Sequence, residues 1–197
     1  MCFNEQVSII TYVIGLLGCI NLYVNYDKKV EAIFFGWVVQ MQLIEYFLWK
    51  NQSCNQKNIN TTKTGIIINH TEPIVLWISI LVLSKNVLPD YVNLLMLVFT
   101  IITYIYTKDV FVDKCTKKEG KHLVWEWNIS KNSEIYYTFF LICLNLLCIY
   151  GLDNGKKYAL ALTITLLISF ALYRNEKSVG AMWCFFAAFI PWITPHI

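Results

Sequence analysis

Three short stretches hold the residues whose types and spacing could do chemistry. The first is Gln42-Leu43-Ile44-Glu45 with Trp49 four residues on. At about 100° per residue, Gln42, Glu45 and Trp49 share one helical face, and Gln40 points away. The second is Asn69-His70-Thr71-Glu72-Pro73, and the third is Trp183-Cys184. A carboxylate in an apolar setting can bind a cation or exchange a proton, an imidazole can do the same, and the amides Gln42 and Asn69 can orient a polar ligand. Pro73 has no N–H for the carbonyl of Asn69, so a kink is expected there, and with it a hinge beside Asn69, His70 and Glu72.

The elements that must position these groups are apolar blocks. Hydrophobic residues make up 57% of the 197 and charged residues 15%, well below the quarter charged of ordinary soluble chains. A soluble protein of this size could not bury several such blocks and still present a wet surface; lipid removes the conflict. Seven segments are long enough to span: about 7–25, 30–49, 65–84, 87–106, 135–151, 157–174 and 179–196. The expected fold is all-α, one transmembrane domain over 1–197, a polytopic bundle of about seven helices. The other spanning solution, a closed β-barrel, needs alternating strands, and the unbroken run Ile74 to Leu83 does not alternate. No basic segment precedes the first span, so that span reads as an uncleaved anchor. Two longer loops are expected at 50–64 and 107–134, with no internal repeat.

Seven crossings put the N-terminus, both long loops and the 175–178 turn on one side. Glu45 then lies roughly 6 Å inside the end of its helix, and Asn69, His70, Glu72, Trp183 and Cys184 enter from the same side. These groups converge on one leaflet, and the far leaflet holds little beyond Asn21 and Asn25. The expectation is a polar pocket opening to the loop side. That side carries 11 of the 16 Lys and Arg residues, which makes it cytoplasmic by the positive-inside rule. Three N-glycosylation triplets, at Asn51, Asn60 and Asn128, also lie there, and their occupancy would reverse the assignment.

Each feature has a plainer reading. Glu45 and His70 could pair only to hold helices together. Proline is tolerated in membrane helices when neighbours re-satisfy the backbone. Trp49, Trp125, Trp127 and Trp183 fit an interfacial aromatic belt. Cys19, Cys143 and Cys148 fit as small apolar fillers. Cys54 and Cys115 could bridge if the loop side is oxidising. Nucleotide, dinucleotide, serine-hydrolase and zinc-protease patterns are absent. No lysine falls within a span, so no retinal-type cofactor is expected. Three histidines, at 70, 122 and 196, make a metal unlikely, although Glu45, His70, Glu72 and Cys184 are of the right ligand type. The net charge of +3 is too small to suggest nucleic acid as a partner.

The start Met1-Cys2-Phe3, the stretch Met41 to Trp49 and the late Met182-Trp183-Cys184-Phe185-Phe186-Ala187-Ala188 resemble a group of small multi-pass membrane proteins of bacteria, algae and large DNA viruses. Their N-terminus tends to read Met-Cys-Phe-Ser, followed by a Gln-x-x-Glu-x-x-x-Trp helix; here Asn4 replaces the Ser. The resemblance implies a multi-pass protein, points to Cys2, Gln42, Glu45, Trp49, Trp183 and Cys184, and supplies no mechanism. With the Lys- and Asn-rich composition of AT-rich coding, it leaves a viral source open.

Three function classes follow. The leading expectation is a carrier, channel or receptor for a small polar or cationic ligand. Glu45 would be its charged or proton-linked group, Gln42, Asn69 and His70 its polar contacts, and Pro73 its hinge. The alternatives are a membrane enzyme acting on lipid head groups, with Glu45 or His70 as acid or base, and a non-catalytic membrane scaffold.

Overall fold

The computed structural model describes residues 4–111, 114–120, 122–125, 127, 132–173 and 178–196. Helix α1 (Glu5–Asn25) starts at Asn4, whose side chain accepts from the Val7 amide, an ordinary N-cap. A tight turn with Asp27 at φ 52° leads into α2 (Lys29–Lys50). Helix α3 (Gln56–His70) is capped by Asn55 and runs into α4 (Glu72–Leu83) through a 49° bend at Thr71. Helix α5 (Asp90–Val110) follows Pro89. A two-stranded antiparallel ribbon, β1 (Lys117–Glu119) and β2 (His122–Val124), precedes α6 (Ser133–Gly151) and α7 (Gly155–Tyr173). The last apolar stretch is α8 (Val179–Ala187), α9 (Ile190–Ile193) and a 3-10 turn (Thr194–His196).

The fold is all-α apart from that ribbon. Among the described residues six helices are long and apolar enough to cross a membrane, and the bent α3–α4 pair brings the number to as many as seven. Their outward faces are apolar: Val24, Val82, Leu94, Ile101, Tyr104 and Leu167 are all more than half exposed. Such a surface is stable against hydrocarbon and unstable against water.

Helix α2 is the centre of the bundle and packs on α1, α3, α4, α8 and α9. Small residues allow the close approaches. A Cβ on Gly15 would meet Val39 and the Ala188 carbonyl, and one on Gly18 would meet Pro191 and Trp192, so α1 lies almost backbone-to-backbone with its neighbours. The chain ends lie at opposite ends of α2. Glu5 is within electrostatic reach of Lys50, and the Thr194 carbonyl accepts from Lys28 Nζ at 3.1 Å.

Several expectations need correction. Residues 50–64 are not one long loop: the helix begins at Gln56, nine residues before the expected 65. Its first turns are polar because Asn58 and Thr62 hold another segment rather than lipid. The Asn58 side chain donates to the Thr116 carbonyl at 2.9 Å and accepts from the Thr116 amide at 3.1 Å, and Thr62 Oγ1 also accepts from that amide. The third span is two helices, with the break at Thr71, two residues before Pro73. Pro73 cannot donate to Asn69, so the ladder fails there, and Trp37 Nε1 of α2 donates to the Ile68 carbonyl at 3.0 Å and pins the bend. The seventh span, Val179–His196, is one stretch as expected, with a turn at Ala188–Phe189 inside it. The 107–134 loop is shorter than expected, since α5 runs to Val110, and it is structured by the ribbon.

Candidate functional site

The described residues of the loop between α5 and α6 fold as a cap over the α2–α3 hairpin. Cys54 and Cys115 are bridged, with Cα atoms 5.5 Å apart. Beside the bridge the Lys118 amide donates to Gln52 Oε1 at 2.7 Å, and Lys118 Nζ sits 5.8 Å over the Trp49 ring. Trp125 and Trp127 stack at 5.0 Å and are fully buried. Trp127 reaches Gly65, and its carbonyl accepts from Tyr106. The aromatic-belt expectation therefore fails for Trp125, Trp127 and Trp183, which are core residues; Trp49 is half-buried against the cap.

Beneath the cap lie the residues singled out in the sequence. Gln42, Glu45, Asn69, His70, Glu72, Trp183 and Cys184 are all buried. His70 is held by two hydrogen bonds, Nε2 with the Tyr137 hydroxyl at 3.1 Å and Nδ1 with Thr107 Oγ1 at 3.3 Å. The Tyr137 hydroxyl donates to Asn69 Oδ1 at 2.9 Å. His70 also meets the rings of Tyr106 and Tyr136 edge-on, at 5.4 Å and 5.1 Å, and those two rings stack at 4.1 Å. This is an imidazole bonded at both ring nitrogens, by Tyr137 and Thr107, in an aromatic box.

Glu72 is placed differently. Its Oε1 has no hydrogen-bond partner among the described residues, and the Asn69 side chain lies in hydrogen-bonding reach of the carboxyl. It borders a small cavity with Phe34, Val38, Leu144, Trp183 and Cys184, with room for about one water molecule. Trp183 Nε1 donates to the Leu162 carbonyl at 3.2 Å. The Cys184 thiol lies within electrostatic reach of both Glu72 and Glu45. The acid, the thiol and the second acid thus come together, and His70 belongs to the adjoining box. Pro73 sits in the first turn of α4 directly behind Glu72.

No protein-family model, curated protein or solved structure matches this chain.

The cavity is lined by residues of α2, α4, α6, α7 and α8, and Trp127 of the α5–α6 loop packs instead against Gly65 and Tyr106. Sequence reasoning also missed partners. Tyr106, Tyr136 and Tyr137 fall inside apolar spans by sequence, although three tyrosines within about one turn of a loop are a signal for a polar lining. The far side is richer than expected. Lys28 Nζ donates to the Tyr158 hydroxyl at 3.3 Å, and that hydroxyl reaches Glu31 Oε1 at 3.5 Å, with Glu31 buried. Asn21 and Asn25, the expected far-side pair, only bond each other on an exposed face. Among the described residues no group of three His, Cys, Asp or Glu side chains is arranged to hold a metal ion. Cys2 lies outside the described residues.

Proposed function

We propose that the chain is a multi-pass membrane protein that crosses the bilayer seven times and acts as a carrier, channel or receptor for a small polar or cationic ligand. The observation that carries this reading is the Glu72 carboxyl, 2% exposed at the middle of the bundle, with one oxygen unpartnered toward a cavity. A carboxyl in that position is costly to keep, whether charged or neutral, and a purely structural core would replace it with an apolar residue. Glu45 and Cys184 supply the neighbouring polar surface. The Pro73 break gives α4 a joint next to the acid, and the cap is the element that must move for entry from the loop side.

The bridge between Cys54 and Cys115 favours an oxidising compartment for the loop side. It argues against the cytoplasmic placement drawn from lysine counts, which rest mainly on long-loop residues that weigh little in that rule.

The test uses the purified full chain in phosphatidylcholine–phosphatidylglycerol vesicles, with uptake of sodium, rubidium and protons measured in parallel. At least one of the three is expected to enter, and Glu72→Gln and Glu45→Gln to abolish that entry while the protein stays folded with its bridge intact. If none enters, or if both variants alter only thermal stability, the scaffold reading replaces this one.

A further inference from the structure

Three buried carboxyls lie in file through the bundle, at three depths. Glu31 and Glu45 are fourteen positions apart on α2, with Val38 midway. Steps of seven residues return to nearly the same helical face, so Glu31, Val38 and Glu45 form one stripe. Val38 lines the cavity that Glu72 borders from α4, so Glu72 fills the gap between the two acids of α2. The file extends about 21 Å along α2, against a hydrocarbon thickness of about 30 Å. All three carboxyls belong to buried residues.

The groups around them favour one kind of ligand. The cavity at Glu72 has room for about one water, and apart from that carboxyl and the Cys184 thiol its walls are mainly Phe34, Val38, Leu144 and Leu162. A metal cation in the bilayer core needs several oxygen ligands to replace its hydration shell, and this lining supplies one carboxyl. A proton needs only a carboxyl and a water. The titratable groups facing Glu72 are Tyr136 and Tyr137 of α6 and Cys184 of α8. Those facing Glu31 are Lys28, Asp153, Tyr158 and Cys148. Lys28 and Tyr158 open from Glu31 toward the far surface, where Lys28 is half-buried.

We propose that Glu45, Glu72 and Glu31 form a proton relay through the bundle, with the proton as the ligand of the site. The proposal rests on the carrier or channel reading above and names its substrate. A proton from the loop-side water is taken up by the Glu45 carboxylate. It moves through a water in the central cavity to the Glu72 carboxylate, and Glu45 is left ionised again. Glu72 passes the proton on to Glu31, which releases it past Lys28 and Tyr158 to the far side. Each O–H bond formed on one carboxyl is broken on the one before it, and one positive charge crosses per cycle. The Phe34 and Phe35 rings, one turn from Glu31, are the gate in the lower half and must part for the second transfer.

The same vesicles test it, loaded with a pH-sensitive dye and driven by a potassium diffusion potential set with valinomycin. Wild type is expected to move protons. Glu31→Gln and Glu72→Gln are each expected to slow this by about tenfold or more, and Glu72→Asp to restore part of it. Retention of the Cys54–Cys115 bridge on non-reducing gels reports folding for every variant. A second readout is independent of transport: dicyclohexylcarbodiimide, which attacks protonated carboxyls from the lipid phase, should modify Glu72. If sodium or rubidium passes and depends on Glu72 while Glu31→Gln is silent, the relay is wrong and the ligand site stands. If no ion passes, both readings fall.

Discussion

Removing the bridge between Cys54 and Cys115 is the perturbation whose size can be worked most directly. The two cysteines are 61 residues apart in sequence, and a free chain of that length would lose about 4 kcal/mol of stabilisation with the cross-link. That figure is a ceiling here. In a membrane the reference state keeps α3, α4 and α5 inserted, so the bridge restrains only the 51–55 link and residues 111–115, roughly a ten-residue loop worth about 3 kcal/mol. The polar contacts that remain at Asn58, Thr62 and Gln52 contribute about 1 kcal/mol each. With the buried Trp125 and Trp127 side chains they keep the cap docked, and the bundle does not depend on them. The double variant Cys54→Ser, Cys115→Ser should therefore keep its helix content while the cap opens more often. Amide hydrogen exchange at Thr116, whose N–H is held by Asn58 and Thr62, should accelerate on the order of 100-fold, the factor matching about 3 kcal/mol. Exchange in the α6 core should not change. Unaltered exchange at Thr116, or global loss of helix, would refute the separation of cap from bundle; free thiols at both positions in the unreduced protein would remove its premise.

Two further outcomes follow from the packing. His70→Ala should lower stability by about 3 kcal/mol, since it empties the aromatic box and strands the Thr107 hydroxyl; His70→Gln should recover part of this, and thermal unfolding in detergent measures both. Lys57 is exposed on the loop side, so Lys57→Cys, made in the double serine background, should react with a membrane-impermeant maleimide added outside intact cells if that side faces an oxidising compartment. Labelling only after the membrane is permeabilised would place it in the cytoplasm.

Much of the fold was legible in the sequence because lipid imposes a one-dimensional rule. A backbone in hydrocarbon must satisfy itself within each helix, so long apolar runs announce spans without reference to their neighbours. The sequence likewise marked Glu45, Glu72 and Cys184, since charge and polarity inside such runs stand out one residue at a time. What tertiary structure alone decided was which groups meet. Asn58 and Thr62 look like loop residues until Thr116 is seen between them, and Trp125 and Trp127 look interfacial until the cap turns them inward. His70 has Tyr137 and Thr107 as partners because α5 and α6 arrive beside α3, a fact carried by no local pattern. The bend at Thr71 was half legible: Pro73 announces a missing hydrogen bond, but only the approach of Trp37 fixes where the chain turns. The file of acids was half legible too. The spacing of Glu31 and Glu45 is in the sequence, while the position of Glu72 between them depends on α4 packing against Val38, and helix packing is set by side chains distant along the chain.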